Sequence, residues 1–274
     1  MRLAFLGPPG TFGEEAALLH DPAASRLPFT SHAAVVAAVE AGAADEGVIP
    51  VENSVEGGVN ETLDILIHET AVQFRRELVL PIVQCLLVQP GTAAAEVRVI
   101  YSHPQALGQC RRYIERRFAD VRIEAALSTA GAVQELGKSE KAAAIATRRA
   151  AQLYGAEVLA AGIQDRPNNV TRFVVIGAHD AEPTGNDKTS LAVGMPHDRP
   201  GTLVAVLKEF ADEGISLTRI ESRPSKDQLG VYIFLLDLEG HRLDPAVVAV
   251  LDRVQARSNF FKVFGSYPRY VGRQ

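Results

Sequence analysis

The stretch D-R-P-N-N-V-T-R-F-V-V-I, residues 165–176, places a polar cluster directly before an apolar run. Pro167, Asn168 and Asn169 favour a turn, and the apolar run at 173–176 favours a buried strand. Proteins of the α/β class commonly hold small ligands where a polar loop meets such a strand. The chain before this stretch predicts two lobes of one binding unit, and the chain after it predicts a separate module.

The composition is that of a globular protein with room for two domains. The chain has 274 residues, of which 47% are hydrophobic and 22% charged, and its formal net charge is −5. A negative chain without a basic run argues against nucleic acid as the main partner. Cys85 and Cys110 lack metal-ligand spacing and are interpreted as buried free thiols, which suits a cytoplasmic protein. No apolar stretch is long enough to span a bilayer or to form a secretory leader, so we predict no membrane association.

The first 70 residues predict alternating strands and helices. Short apolar strands are expected at 3–6 and 47–50, and helices at 13–20, 32–41 and 60–68. The order β-α-β-α favours a parallel sheet.

The chain after residue 70 predicts a second α/β lobe, with a cleft between it and the first lobe. Extended segments near 72–80 and 162–171 separate the lobes, so the chain is expected to leave lobe one, build lobe two and return. Such a double hinge would leave a cleft between the lobes, and clefts of this kind are favoured small-molecule sites. A single doubly wound sheet is the alternative. The strands predicted for lobe two lie at 97–101, 123–127, 142–146 and 157–161, with helices at 105–118 and 130–138 and another after Thr147.

A polar segment at 181–188 predicts a linker to a third unit. The chain beyond it has the element order β-α-β-β-α-β, the ferredoxin-like pattern. We therefore predict a two-lobed domain over residues 1–180 and a ferredoxin-like α+β domain over residues 188–274. Within the first domain, lobe one is expected at about 1–75 and 168–180 and lobe two at about 76–165.

Hydroxyl and amide residues follow strand after strand in the two-lobed region. Helix N-termini with free backbone N–H groups attract anions, although each of these residues is also an ordinary N-cap. Five such loops with hardly any basic residue indicate a site that holds carboxylates mainly through neutral donors. The residues are Thr11, Asn53, Ser54, Ser102, Ser128, Thr129 and Thr147.

Glu52 and His103 are the titratable residues in these loops. Each is a candidate general acid, but ordinary pairing of Glu52 and partial exposure of His103 are the plainer interpretations. Thr171 is too weak an acid to donate a proton unaided, yet it can hydrogen-bond a leaving hydroxyl. Strand alternation should point Thr171 and Phe173 one way and Arg172 the other. The spacing of His and Cys predicts no metal site, and no dinucleotide-binding or Walker motif is present.

Six motifs in order resemble those of the prephenate dehydratase family and cover almost the full length. The resemblance implies a two-lobed fold like type II periplasmic binding proteins, followed by a regulatory ACT domain. It implies conversion of prephenate to phenylpyruvate with loss of water and carbon dioxide, without a cofactor, in phenylalanine biosynthesis. The motifs are L-G-P-P-G-T-F (6–12), V-I-P-V-E-N-S (48–54) with T-L-D-I-L (62–66), S-H-P-Q-A-L (102–107), N-N-V-T-R-F (168–173), P-G-T-L-V (200–204) and I-E-S-R-P (220–224).

The resemblance also implies roles for individual residues. Thr171 aligns with the family's essential threonine. The ACT domain is expected to bind L-phenylalanine as a feedback inhibitor and to pair chains into a homodimer or homotetramer. The substrate-binding residues implied are Thr11, Glu52, Asn53, Ser54, Ser102, His103, Gln105, Ser128, Thr129, Asn169, Arg172 and Phe173. Those implied for the effector are Gly201, Thr202, Leu203, Val204, Glu221, Ser222, Arg223 and Pro224.

Two departures and two alternatives accompany the resemblance. Gly13 stands where the family often has Ser, and Thr202 where many members have Ala, a change that could alter phenylalanine affinity. Arogenate dehydratase is the nearest alternative activity, and no residue separates it from prephenate dehydratase. A non-catalytic amino-acid sensor on the same scaffold is the alternative from another class, and the complete N-N-V-T-R-F run argues against it.

Overall fold

Two mixed sheets and one antiparallel sheet make up the fold. The computed structural model describes residues 1–138, 141–195, 200–226 and 228–272. The two mixed sheets form separate lobes, and the antiparallel sheet belongs to the C-terminal part of the chain. The predicted class, a two-lobed α/β domain followed by a ferredoxin-like domain, is confirmed. Within the described residues, no helix has the length and apolarity needed to cross a membrane.

Lobe one contains a sheet whose middle is completed by a late strand. The order is β2-β1-β3-β11-β5, with β4 paired to β3; β1, β2 and β3 are parallel, whereas β11 is antiparallel to β3 and β5. Residues 170–177 therefore supply a central strand of the first lobe. The elements are β1 (Arg2–Leu6), α1 (Phe12–His20), β2 (Ser25–Phe29), α2 (His32–Glu40), β3 (Glu46–Asn53), β4 (Gly57–Gly58), α3 (Asn60–His68), β5 (Gln73–Pro81) and β11 (Val170–Gly177).

Lobe two is a continuous stretch of chain between β5 and β11. Its sheet has the order β10-β6-β9-β7-β8. The single helix predicted over 105–118 is divided at Cys110, whose backbone leaves the helical region with φ −110° and ψ 12°. The elements are β6 (Cys85–Val88), β7 (Val99–Ser102), α4 (Pro104–Gln109), α5 (Arg111–Arg117), β8 (Arg122–Ala125), α6 (Thr129–Glu135), β9 (Ala142–Ala146), α7 (Arg148–Tyr154) and β10 (Glu157–Ala161).

Two adjacent crossings join the lobes. The Ile82 N–H donates to the Asn169 carbonyl at 2.8 Å, and the Ile163 N–H donates to the Gln84 carbonyl at 3.1 Å. The first crossing follows Pro81, whereas the sequence placed the lobe boundary near residue 75. The boundary lies later because the second half of β5 is still paired with β11 in the sheet of lobe one.

The C-terminal domain has the predicted β-α-β-β-α-β order and an antiparallel sheet in the order β13-β14-β12-β15. Helices α8 and α9 cover one face of this sheet and form a buried apolar core with it. The elements are β12 (Asp187–Gly194), α8 (Thr202–Asp212), β13 (Leu217–Pro224), β14 (Tyr232–Glu239), α9 (Pro245–Ala256) and β15 (Phe260–Pro268).

The other face of the C-terminal sheet packs on lobe one. Ile233, Leu235 and Phe264 belong to one buried cluster with Phe74 and other residues of lobe one, and the rings of Phe74 and Phe264 stack 5.5 Å apart. Gly265 permits this close approach, because a Cβ there would lie 2.6 Å from the Phe74 carbonyl oxygen. The predicted linker therefore joins two bodies that share a core, and the C-terminal module is not separate from lobe one.

Candidate functional site

A cavity of about 400 Å³ lies between the two lobes. A concave site of this size suits a small molecule. Lobe one, the hinge and lobe two all contribute to its wall, so its shape depends on how the lobes close. The predicted site residues that line it are Thr11, Asn53, His103, Gln105, Ser128, Thr129, Thr171 and Phe173.

The hydroxyl of Thr171 is held in a defined orientation by Asn53. The two residues are cross-strand partners on β11 and β3, and Asn53 Nδ2 donates to Thr171 Oγ1 at 2.9 Å. The Asn53 amide cannot rotate freely, since its Oδ1 accepts from the Val55 N–H at 2.9 Å and the Glu56 N–H at 3.1 Å. Thr171 Oγ1 thus accepts from Asn53, which leaves its hydroxyl hydrogen available to a ligand.

Thr11 and Ser128 cap helices that begin at the cavity from opposite lobes. Thr11 Oγ1 accepts from the Glu14 N–H at 3.4 Å and donates to the Leu6 carbonyl at 2.9 Å. Ser128 Oγ accepts from the Gly131 N–H at 2.9 Å. The predicted capping is present at both positions, and both residues also line the cavity.

His103 presents a hydrogen-bond donor from lobe two. Its Nδ1 accepts from the Gln105 N–H at 3.3 Å, which leaves Nε2 as the protonated nitrogen of the neutral ring. The ring of His103 caps α4, a role predicted for Ser102.

His32 and Glu61 also line the cavity, and the sequence did not single them out. His32 is 7% exposed, and its Nδ1 lies 3.2 Å from Glu61 Oε2. Residues 29 positions apart carry no shared sequence signal, so only the fold could pair them. With His103 they are the ionisable side chains among the described residues that line the cavity, and no arginine or lysine is among these.

Three predicted residues support the wall without lining the cavity. Ser102 is buried and donates to the Ile145 carbonyl at 2.6 Å. Asn169 Oδ1 accepts from Asn53 at 2.8 Å, which places it behind that residue. Ser54 Oγ accepts from the Val170 N–H at 3.0 Å and so ties β3 to β11. Their predicted contact with substrate is corrected to a supporting position.

Glu52 and Arg172 do not lie at the cavity, which corrects their predicted role in substrate binding. They are cross-strand partners directly beside the Asn53–Thr171 pair, so strand alternation points them to the opposite face. Arg172 Nε lies 3.2 Å from Glu52 Oε2, and Arg172 Nη2 lies 2.8 Å from Asp237 Oδ2 in the C-terminal domain. Arg172 is therefore part of the domain junction.

Hydrogen bonds across the lobes close the cleft beside α7. Thr147 caps that helix, as predicted, and also donates to the Gly10 carbonyl at 2.7 Å. The Tyr154 hydroxyl donates to the Pro9 carbonyl at 2.8 Å.

A second group of cross-lobe bonds involves Glu56. Gln105 Nε2 and Gln109 Nε2 donate to its two carboxylate oxygens at 2.6 and 2.7 Å. Gln105 therefore both lines the cavity and helps to hold the lobes together.

The residues predicted to bind an effector divide between two faces of the C-terminal domain. Gly201 has φ 90° and precedes α8, where Thr202 is the first residue, Leu203 packs on the core and Val204 is 66% exposed. Ser222 and Pro224 are exposed on the helix-bearing face of β13.

Glu221 and Arg223 point the other way on β13, towards lobe one. Arg223 Nη2 lies 2.7 Å from Asp64 Oδ1, and the side chain of Glu221 lies against Gly58 and pairs with Arg219. Their predicted contact with an effector is therefore corrected to a contact between domains, again because alternate residues of a strand face opposite sides.

Comparisons with known proteins cover nearly the whole chain. A family model described as prephenate dehydratase matches residues 3–181, and one described as ACT domain matches residues 189–255. The bifunctional chorismate mutase/prephenate dehydratase of Stutzerimonas stutzeri is 43% identical over 272 residues, 99% of this chain and 74% of that protein.

Two solved structures are similar over the same length. The prephenate dehydratase of Arthrobacter aurescens in complex with L-Phe matches with a TM-score of 0.90 and 37% identity, covering 98% of this chain and 90% of that one. A protein described as a novel type of quorum quenching acylase matches with a TM-score of 0.87 and 30% identity, covering 98% of both chains.

Proposed function

The chain belongs to the prephenate dehydratase family, and we propose that the cavity between its lobes converts prephenate to phenylpyruvate with loss of water and carbon dioxide. The observation that carries this proposal is the hydrogen bond from Asn53 Nδ2 to Thr171 Oγ1 at 2.9 Å. It leaves the Thr171 hydroxyl hydrogen free to meet the ring hydroxyl of the substrate as that group departs.

Thr171 is proposed as the catalytic residue, with no cofactor. Prephenate becomes aromatic in the reaction, so the thermodynamic drive is large and the protein mainly needs to orient the substrate and assist the leaving hydroxyl. Asn53 fixes the acceptor side of Thr171, and Asn169 in turn fixes Asn53. This arrangement favours stabilisation of developing charge on the departing oxygen over full proton transfer from a threonine, and a water molecule then supplies the proton that completes the water lost.

The carboxylates of prephenate are proposed to bind mainly to neutral donors. Ser128 and Thr129 line the cavity from lobe two, and His103 offers its Nε2 hydrogen; Thr11 lines the cavity from lobe one, but its hydroxyl hydrogen is donated to the Leu6 carbonyl. Hydroxyl and imidazole donors bind a dianion less tightly than an arginine pair would, which limits stabilisation of the ground state. Closure of the lobes would remove water from the ring carboxylate and favour its loss as carbon dioxide.

L-Phenylalanine is proposed as feedback inhibitor, bound by the ACT domain at residues 201–204 and at the exposed side of β13. The related protein of Arthrobacter aurescens was solved with L-Phe, which supports this assignment. Gly201 and Thr202 begin α8, and Ser222 lies on the face of β13 that carries the helices. The domain bounds proposed are 1–180 for catalysis and 188–274 for regulation.

The chain is proposed to form a homodimer or homotetramer through its ACT domain. Ile220 and Tyr232 are 51% and 46% exposed, and the strand register places them on the same face of the sheet as Ser222 and Pro224. An exposed apolar strip at the edge of a sheet favours pairing with another chain.

The cytoplasm is the proposed compartment. Cys85 and Cys110 are free and buried, which fits a reducing environment. Burial raises the pKa of the Cys110 thiol to about 12, so this thiol is unreactive at neutral pH.

Acyl hydrolysis, the activity named for one structural relative, has less support. Such chemistry needs a nucleophile hydrogen-bonded to a base. Among the described residues that line the cavity, the hydroxyls of Thr11, Ser31 and Ser128 accept from backbone N–H groups, and Thr171 accepts from Asn53. None of these four hydroxyls is paired with a histidine or a carboxylate.

A turnover assay with prephenate and arogenate side by side tests the proposal. We expect phenylpyruvate from prephenate, lower turnover of arogenate, and inhibition of both by added phenylalanine. Hydrolysis of an N-acylated test substrate serves as the control reaction and should stay at background. If arogenate were turned over faster than prephenate, arogenate would be the assigned substrate. If neither were turned over, the proposed function would be contradicted.

A further inference from the structure

The catalytic strand β11 has one face in the cleft and the other in the domain junction. Thr171 lines the cavity, and its neighbour Arg172 enters the C-terminal sheet from the opposite face. Cross-strand pairing repeats this division on β3, where Asn53 faces Thr171 and Glu52 faces Arg172. One peptide unit joins Arg172 to Thr171, so a shift of the Arg172 backbone is carried to Thr171.

Arg172 is buried and surrounded by carboxylates, but these are not equivalent. Its side chain is 11% exposed, and its distances are 2.8 Å to Asp237, 3.2 Å to Glu52 and 3.5 Å to Glu77. Glu77 is already bound by Lys188 Nζ, at 2.9 and 2.8 Å to its two oxygens. Glu52 is 39% exposed and shared with Arg219. Asp237 is thus the closest carboxylate to Arg172, and it is buried.

Asp237 is itself fixed in place. Its Oδ1 accepts from Ser190 Oγ at 2.6 Å, and Ser190 Oγ lies 2.6 Å from the Tyr267 hydroxyl. Burial would raise the pKa of Asp237, but the charges of Arg172 and Arg219 and the Ser190 hydroxyl hold that pKa below its ordinary value. The carboxylate is therefore ionised at neutral pH and forms a rigid anionic contact for Arg172.

We propose that Asp237, a residue of the regulatory sheet, is a positioning residue for the dehydratase reaction: it holds Arg172 and thereby the backbone and hydroxyl of Thr171. The inference rests on the catalytic assignment of Thr171. It makes the C-terminal sheet a part of the catalytic apparatus even when no effector is bound. A displacement of β14 would reach the cleft through Arg172, without any contact between effector and substrate.

Steady-state kinetics of the full chain with prephenate, in the absence of phenylalanine, test this inference. Asp237→Asn should lower kcat about tenfold with KM within about twofold of the unaltered chain, because the cavity wall stays intact while the Thr171 hydroxyl loses its alignment. Ser190→Ala, which keeps the ion pair and removes the Ser190 hydrogen bonds to Asp237 and Tyr267, should lower kcat by about two- to threefold.

Asp64→Asn is the matched control. It breaks another junction ion pair, Arg223–Asp64 at 2.7 Å, whose residues do not lie beside the catalytic strand. Its kcat should remain unchanged, although its thermal unfolding temperature falls, as that of Asp237→Asn should also do.

The kcat values of these variants decide whether Asp237 positions Thr171. An unchanged kcat in Asp237→Asn, or an equal loss of kcat in Asp64→Asn, would overturn the inference. If Asp237→Asn does not fold, the kcat of Ser190→Ala decides in the same way. Absence of dehydratase turnover in the unaltered chain would instead contradict the proposed function, and an active Thr171→Ala would contradict the role of Thr171.

Discussion

Lobe one forms one interface with lobe two and another with the C-terminal domain, and the contacts in these two interfaces differ in kind. Towards lobe two it offers a water-accessible cavity, crossed by hydrogen bonds such as those of Glu56 and Thr147 and by the Arg149–Glu14 ion pair at 3.4 Å. Towards the C-terminal domain it offers a buried apolar cluster and the Arg172 ion pairs. A small number of polar contacts between the lobes allows opening at small cost, whereas the buried apolar cluster between lobe one and the C-terminal domain resists separation. The contrast indicates that the two lobes can open and close around the cavity, whereas the interface between lobe one and the C-terminal domain stays intact.

The largest expected effect is at the cleft. Thr171→Ala should lower kcat by about 10²- to 10³-fold, since a single donor to a developing oxyanion contributes about this much. Substrate binding should persist, because Ser128, Thr129 and His103 are untouched. The measurement is turnover of prephenate together with direct binding by calorimetry. Thr171→Ser keeps the hydroxyl and serves as the control, and full activity of the alanine variant would remove Thr171 from the reaction.

The next effect is at the domain junction. Gly265→Ala should reduce the free energy of unfolding by about 2–4 kcal/mol, because its Cβ would meet the Phe74 carbonyl oxygen at 2.6 Å. Gly185→Ala is the matched control, since Gly185 also has a positive φ, 83°, but has nothing within 4 Å of the added Cβ. It should lose only about 1 kcal/mol from backbone strain. Equal losses in urea denaturation would mean that close packing does not maintain the junction.

The smallest effect returns to the cleft. Glu56→Ala removes the acceptor of the Gln105 and Gln109 amides and should lower kcat/KM about three- to tenfold by weakening closure. Stability should change by less than about 0.5 kcal/mol, because Glu56 is exposed. Glu115→Ala, an exposed glutamate of α5, is the control for kinetics and for thermal unfolding. If Glu56→Ala instead lost much stability and kept its kcat/KM, the contacts between the lobes would serve stability and not closure.

Local sequence signals predicted elements better than they predicted junctions. Helix α3 and strands β9 and β10 have the predicted bounds, since each is a continuous periodic or apolar run. Strand β2 (Ser25–Phe29) was missed because it contains Pro28 and Arg26 and lies at the sheet edge, where apolar alternation is not required.

The site residues were predicted where the signal is local to one strand, and they were missed where the contact joins distant segments. The alternation along β11 correctly separated Thr171 from Arg172, but the partner that occupies the far side was not accessible from the sequence. Arg172 and Asp237 are brought together only when two domains dock, and no motif records that contact. The same holds for His32 and Glu61, which the packing of two helices joins.

The position of β11 between β3 and β5 has a consequence for how the chain is made. Lobe one begins at residue 2 but lacks its central strand until residues 170–177 have been synthesised, whereas lobe two is complete once residue 161 has emerged. During synthesis, lobe two can therefore fold before lobe one, although lobe one begins earlier in the chain. Until then β3 and β5 have unpaired edges, which exposes the nascent first lobe to pairing with other chains.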